Sequence, residues 1–528
     1  MRPGRGWRVA LLVLGLILSA CGRLAAPESV LRRGNGPEPD SLDPALAQTD
    51  SAANILTDVY EGLSTRDPDG RITPGTAERW SVSADGRVIT YTLRPNARWS
   101  NGEPVVASDF VASWRRLVDP HTASPYGAFL QPIEGAVEIL AGRRPPTALG
   151  VTAPDARTLV VRLSQPMPSF PALTAHWSTF ATPQGRPPGP PGACVTNGAY
   201  VPVVWRRGDA VEVQRNRAYW NDAATHIDRV RYLHVPDPLA EYRRFRVGDL
   251  DVTYTVPQLP YERLRTRHGD ALRIGPMLGL YYYGFDLTHP PFRDAPGLRR
   301  ALAMVIDRDR LVTAVTGLGE TAALGFVPPG IPDYAPQRFD WADAAPSARL
   351  TEARRLYREA GFGGAHPLVL SLVYPTGSAH ARVAVALASQ WKETLGIEVQ
   401  LNPMDQKRAL AAISAHEAPL FRSSWTADYA DPATFLDTLA GDSGLNLVGY
   451  RSAAYDAALE AAHRTAGPAR AAAFAVAEQR MLADTAVIPL YFYVTKHLVA
   501  PRVVGWREDR LNLQPSRMLS VKPAPRGT

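Results

Sequence analysis

The chain has 528 residues, of which 45% are hydrophobic and 21% charged, a globular composition at a length where one core stops growing, so two or three lobes are expected. Its formal net charge of +7 is spread among 51 acids rather than gathered in basic runs, which excludes the electrostatic footprint of a nucleic-acid-binding protein. Two cysteines in the whole chain exclude a fold held together by disulfides.

At the N-terminus, Arg2, Arg5 and Arg8 precede an apolar run from Val9 to Leu18, and Leu18-Ser19-Ala20-Cys21-Gly22 closes it. That is the pattern of a bacterial export signal. Its apolar core of about ten residues is too short to span about 30 Å of hydrocarbon as a helix. The small residues before Cys21 match a lipobox, in which the cysteine thiol is acylated and the chain is cut just before it, so residues 1–20 are expected to be a lipoprotein signal peptide. The competing reading is an ordinary signal peptide with an incidental cysteine. Removing residues 1–20 takes away three arginines and no acid, which leaves a charge of +4. With Cys21 lipidated, Cys194 has no intramolecular partner.

Further along, Val88 to Leu93 alternates as a strand, Ser100-Asn101-Gly102 marks a turn, and Ser108-Asp109 starts a helix. Phe110, Val111, Trp114, Leu117 and Val118 fall on one face of that helix, and Pro120 stops it. The segment 182–192, TPQGRPPGPPG, can form neither ladder nor helix and reads as an exposed loop between lobes. Helices are expected over 297–306, 350–360 ending at Gly361, 380–395 ending at Gly396, and 469–483. Strands are expected over 158–163, 368–374, 397–401 and 487–494. Alternating short strands and amphipathic helices argue for mixed α/β lobes without an internal repeat.

Catalytic motifs fare poorly. Gly441-Asp442-Ser443-Gly444, with His176 upstream in Thr174-Ala175-His176-Trp177, resembles fragments of a serine protease. However, Leu445 stands where that pattern continues with glycine, and fragments do not make a triad. A polar turn is the simpler reading of 441–444. Dispersed histidines, no HExxH pair and no GxxxxGK[ST] loop leave nothing for metal or nucleotide chemistry. Gly317-Leu318-Gly319 reads as a turn, and Asp307 and Asp309 read as a solvated helix face.

What stands out is a series of long segments in a fixed order. They run from SLDPALAQTDSAANILTDVYEGL and WSNGEPVVASDFVASWRRLVDPHTASPYGAFLQ through VTNGAY at 195–200, RNRAYWND at 215–222, LYYYGFDLTHPPFRD at 280–294, LRRALAMVIDRDRLV at 298–312 and WTADYADPATFLDT at 425–438. These resemble the periplasmic oligopeptide-binding family over nearly the whole mature chain. The resemblance implies an α/β, two-lobed periplasmic-binding-protein fold with hinge closure and an additional inserted domain, built on mixed sheets. The first lobe would be 21–60, 184–278 and 494–528, the inserted domain 61–183, and the second lobe 279–493. It also implies a non-enzymatic, monomeric solute-binding lipoprotein of the cell envelope. That protein would capture short peptides for the permease subunits of an ABC importer, with no cofactor, no nucleic-acid partner and a membrane contact through the Cys21 anchor.

A general peptide receptor must supply backbone pairing, tolerant pockets and a fixed anion for the desolvated amine. By resemblance, Asp428 grips the amino terminus; from its residues alone it reads as a turn or helix-start aspartate before Asp431-Pro432. Ser424, Trp425 and Thr426 align with the strand that pairs with the ligand, and Gln48 to Asp50 with its counterpart in the first lobe. Tyr126 aligns with a ligand-contacting tyrosine of the inserted domain. Trp425 and Tyr493 would line pockets, and Arg422 and His380 would meet the peptide carboxylate. There are three departures from the family pattern. Gln48 replaces an expected acid, with Asp50 a nearby substitute. No lysine stands around Ala314 to Thr316. Gly279 and Thr426 occupy positions that form a disulfide in well-known members. Receptors for murein peptides, dipeptides or a non-peptide solute are the alternatives, followed by a serine hydrolase or an interaction protein that binds unfolded chains.

Overall fold

The structure, a computed structural model, describes residues 28–67, 70–364 and 366–522; Cys21 and its apolar leader lie outside the described residues. Among those described, no helix is long and apolar enough to cross a membrane.

Two large hydrophobic cores organise the chain. One gathers residues from Leu31 to Tyr232 and recruits Val252, Val499, Val503, Leu513 and Leu519 from late segments. The other runs from Leu278 to Phe492 and adds Leu511. The first core carries a four-stranded sheet in the order Val30–Gly34, Arg229–Leu233, Ala210–Arg215, Tyr200–Arg206. It also holds an antiparallel sheet in the order Ala77–Val82, Val88–Leu93, Thr158–Arg162, Val151–Thr152. The second core is built on a six-stranded mixed sheet in the order Thr321–Ala322, Val487–Leu498, Leu272–Phe285, Leu420–Thr426, Val369–Pro375, Glu398–Met404. The parallel pair Val369–Pro375 and Glu398–Met404 needs a crossover, and helix Ser378–Leu395 supplies it.

Two long strands tie the cores together. Leu272–Phe285 pairs antiparallel with Val487–Leu498, with a register break between Pro276 and Leu280. Beyond the break the pair reaches the first core: Val252 bridges both Arg33 and Val499, and Thr253 exchanges hydrogen bonds with Leu498 (Thr253 N–H to the Leu498 carbonyl, 3.0 Å; Leu498 N–H to Thr253 Oγ1, 2.8 Å). A bulged ladder is a natural place for a hinge, because local twist absorbs bending without breaking an element.

The expected elements are found, half of them with longer bounds. The helix at Ala107–Val118 buries all five residues assigned to its inner face, and the Asp109 carboxylate accepts the Val106 N–H at its start (3.0 Å). Helices Pro296–Val305, Pro346–Glu359 and Gly467–Ala483 each begin with proline in the first turn, and all three start upstream of the expected position. The loop 182–192 is only partly exposed. Gln184 N–H donates to Asp109 (2.9 Å), and a Cβ on Gly185 would lie 2.6 Å from the Ala112 backbone, so its first turn is pinned to helix Ala107–Val118.

A buried carboxylate fastens the second lobe. Glu478, fully buried on helix Gly467–Ala483, accepts the N–H groups of Phe326 and Val327 (2.8 Å each), the N–H of Gln337 (3.0 Å) and the Tyr334 hydroxyl (2.5 Å). Removing it strands four donors away from water. Glu478→Ala is therefore expected to cost about 3 kcal/mol or more, read as a lower melting temperature and as faster hydrogen exchange at the amides of 326, 327 and 337. Unchanged exchange at those amides would refute the staple.

Candidate functional site

Three separated segments converge on the phenol of Tyr126. Its turn is held by Ser124, whose hydroxyl accepts the Tyr126 N–H (3.1 Å) and donates to the Ala45 carbonyl (2.6 Å). The ring packs in an aromatic cluster, 5.7 Å from Phe129, 5.1 Å from His176 and 5.7 Å from Trp177. Burial pushes the phenol far above its ordinary range, and the carboxylates of Asp428, Asp50 and Asp40 push it further. The inserted segment, the second core and the first segment thus meet at one point.

Asp428 lies just past strand Leu420–Thr426. Its N–H reaches Thr434 Oγ1 at 3.4 Å. Burial raises its carboxyl to about 7, with the Thr434 hydroxyl pulling the other way. No ion-pair partner of Asp428 exists among the described residues. The turn role open to it in the sequence belongs instead to Asp431, which accepts the Ala433 N–H (2.9 Å) and pairs with Arg470 (2.8 Å). Asp428 is therefore a half-buried carboxylate, shielded by its surroundings but not closed off from solvent, without an ion-pair partner among the described residues, an arrangement that an arriving cation would compensate.

The first segment differs from the expectation. Gln48 and Asp50 do not form a strand: Thr49 caps helix Asp50–Val59 by accepting the Ala52 N–H, and Asp50 is the helix's first residue. The N–H groups of Gln48 and Thr49 are taken by Asp40 (2.8 and 3.2 Å), as is the Thr49 hydroxyl (2.7 Å). A helix cap satisfies backbone groups that a strand would leave for a partner. Asp50 touches solvent, yet the surrounding wall desolvates it enough to raise its carboxyl, while the Tyr254 hydroxyl opposes the shift. Asp40 and Tyr254 were not legible as site residues, because each is a single polar residue in an irregular segment.

A second cluster forms around Arg422, whose guanidinium donates to the Tyr493 hydroxyl (2.9 Å) and sits over the Tyr281 ring at 4.5 Å. Burial lowers its pKa, but the hydroxyls of Tyr493, Tyr281 and Tyr491 outweigh that and keep it raised. Its Nε is buried without a hydrogen-bond partner. His380 meets the Tyr281 hydroxyl (3.2 Å), and burial together with Arg422 lowers it to about 4, so it is neutral and can only donate or accept a hydrogen bond. Strand register places Arg422 opposite Tyr283, Ser424 opposite Tyr281 and Thr426 opposite Gly279. Residues directly opposite in an antiparallel pair share a face, so these six line one face. Trp425, opposite Leu280, is on the other face, half-buried against the second core. The Gly279–Thr426 pair is held by backbone alone, and the Tyr493 ring would lie 2.9 Å from any Cβ at Gly279.

The protease-like fragments are not brought together. His176 Nδ1 bonds Ser178 (2.8 Å), and its ring lies 3.7 Å from that of Trp177, whereas Ser443 N–H closes a turn onto the Ala440 carbonyl (3.0 Å).

Two lobes joined by continuous strands, with Asp428 and Arg422 held on one strand and its extension and neither ion-paired among the described residues, define a hinge-closing binding protein. The chain belongs to family 5 of the bacterial extracellular solute-binding proteins, whose middle region matches residues 71–446. It is 37% identical over 517 residues to the periplasmic oligopeptide-binding protein OppA of Escherichia coli (strain K12), covering 95% of this chain and 94% of that one. It is 35% identical to the periplasmic murein peptide-binding protein MppA of the same organism, covering 94% and 95%. Among solved structures, Haemophilus influenzae OppA in complex with RPPGFSPFR superposes with a TM-score of 0.80 at 33% identity, covering 94% of this chain and 99% of that one. These relatives are binding proteins rather than enzymes.

The electrostatics are open to direct measurement. In protein labelled at the Asp and His side chains, the Asp428 carboxyl should titrate at about 7 and the His380 imidazole at about 4. An Asp428 midpoint near the ordinary value of about 4 would place that carboxyl in bulk water.

Proposed function

We propose that this protein captures short oligopeptides between its lobes and delivers them to the permease of an ABC importer, as a monomer held at the membrane through a lipid on Cys21. The observation that carries the reading is Asp428, a desolvated carboxylate without a cation partner among the described residues. A peptide's ammonium supplies the missing charge, and Tyr126 beside it supplies a phenol that either donates or accepts. Ser424 and Thr426 offer backbone and hydroxyl groups along the bound chain, and Arg422 with Tyr493 offers charge-assisted hydrogen bonds to a carboxylate. The names and peptide-bound structure of the relatives support the same ligand class. The lobes are read as 21–60, 184–278 and 494–528 against 279–493, with 61–183 inserted; the two cores and the crossing strands support the division in two, and the first core runs through both the first-lobe segments and 77–181. Closure on the ligand is then a population shift toward the state in which both lobes touch it.

Calorimetry with Ala-Ala-Ala and its N-acetyl form tests the reading. The free peptide should bind and the acetylated one should not, and Asp428→Asn should lose about 2–5 kcal/mol. Because the ligand's ammonium lowers an Asp428 carboxyl that is raised in the free protein, affinity should be highest from about pH 7 up to about pH 8, where the peptide's own α-amine loses its proton. It should fall by up to about tenfold per unit below about pH 7, with the dependence gone in Asp428→Asn. Equal affinity for the two peptides would sink the proposal. A murein tripeptide used as competitor decides whether the specificity follows the murein peptide-binding relative. Cys21→Ser should move the protein from the membrane to the soluble fraction of an envelope preparation; no movement would remove the lipid anchor.

A further inference from the structure

The surface of the first lobe gathers charge that the chain order disperses. Helix Pro238–Arg246 and helix Tyr261–His268 meet where His268 Nε2 and the Tyr242 hydroxyl are hydrogen-bonded (3.0 Å), with the two rings 5.4 Å apart and Phe245 6.2 Å from His268. Tyr242 and Leu264 turn inward and share a small apolar core with Val256, Leu318 and Leu498. The outward faces are rich in arginine. Along the first helix Leu239, Arg243, Arg246 and Val247 recur at i, i+4, i+7 and i+8, one stripe of a helical period. On the second, Arg263 and Arg267 lie one turn apart. All four arginines are exposed, and none has an ion-pair partner among the described residues. Arg246 lies instead over the Tyr242 ring at 5.9 Å. Beside them, Val247 is 75% exposed, the highest value of any large apolar side chain among the described residues, and Leu239 is 39% exposed. The neighbouring acids do not neutralise the group. Glu262 pairs with Arg265 (3.4 Å), Asp237 caps its own helix, and buried Glu241 accepts the N–H groups of Tyr254 and Thr255. That leaves Asp249 and Asp270, exposed just beyond the two helices.

We propose that this face rests on an anionic lipid surface and orients the anchored protein on its membrane. A bilayer of anionic head groups offers diffuse negative charge, which guanidiniums take up without a fixed geometry, while a protruding valine reaches the acyl boundary beneath. A protein interface is centred on a desolvated aromatic or apolar anchor, whereas the rings available here, Tyr242 and Phe245, are packed into the core. Four arginines give a weak attachment that the ionic strength of an envelope preparation releases. The orienting role rests on the lipid anchor proposed above; the affinity for anionic lipid does not.

The test uses the full mature chain with Cys21→Ser, so that no acyl chain contributes, and measures its sedimentation at low salt with vesicles of equal parts phosphatidylglycerol and phosphatidylcholine. The protein should bind these vesicles, ignore phosphatidylcholine alone, and be released at about 1 M salt, where screening acts within about 3 Å. Arg243→Gln, Arg246→Gln and Arg267→Gln should each weaken the partition about fivefold, and Val247→Ser should weaken it without altering the salt dependence. Arg355→Gln removes the same charge from helix Pro346–Glu359 and should leave the partition unchanged. Equal binding to the two kinds of vesicle, or the same loss in Arg355→Gln as in Arg246→Gln, overturns the inference. Absence of binding to the anionic vesicles overturns it as well, and slower peptide uptake by cells carrying the same variants would then assign the face to the permease subunits. An unchanged melting temperature shows that a variant is folded; should one fail to fold, the comparison of the two lipids in the parent protein still decides. Failure of Cys21→Ser to change the fractionation of the protein removes the anchor and leaves the vesicle result standing.

Discussion

Two strands do not belong to either lobe alone, and the rest of the molecule is arranged around that fact. Leu272–Phe285 and Val487–Leu498 are paired along most of their length, yet one end of the ladder sits in the second core and the other end bonds to Val252 and Thr253 beside the first. A pair of chains hydrogen-bonded to each other permits bending and resists shear, so the lobes approach along a defined arc. Strand Leu420–Thr426 pairs with the same ladder and ends beside Asp428, which ties the position of that carboxylate to the geometry of the crossing.

The cleft chemistry is a problem of charge kept apart. Arg422 and Asp428 are six residues apart on one strand and its extension, at most about 20 Å along an extended chain. Ion pairs within the protein neutralise neighbouring charges such as Asp431 with Arg470, but not these two. Burial acts against the charged form of both half-buried groups, a cost that the protein carries where neither has an ion-pair partner among the described residues. The tyrosines around Arg422 moderate that cost by turning their hydroxyls to it while still leaving its Nε unpaired.

Much of this was legible in the sequence, for identifiable reasons. The helix at Ala107–Val118 was readable because one face is solvated, so its apolar residues recur at helical spacing. The central strand was not readable from pattern, because Leu278–Phe285 is buried on both faces and its apolar run carries no period. The resemblance singles out Asp428 and Tyr126, and the Asp428 carboxylate is among those that act on the Tyr126 phenol. Around Gln48 it misled about conformation, since the local Thr49 cap and the Asp40 carboxylate decide the backbone there and neither is visible in an alignment of ligand strands. Asp40 was not readable because it works by accepting the N–H groups of Gln48 and Thr49 across an irregular loop, a contact that no helix or strand period encodes.

The pairing of Gly279 with Thr426 has a consequence for how the molecule withstands reduction. These neighbours are joined by the ladder alone, and the one described cysteine, Cys194, is buried beside the Tyr60 hydroxyl. Among the described residues no disulfide holds the fold, so a reducing milieu takes nothing from them. Packing and the ladder alone carry the junction at Gly279 and Thr426, whatever the thiol balance around the chain.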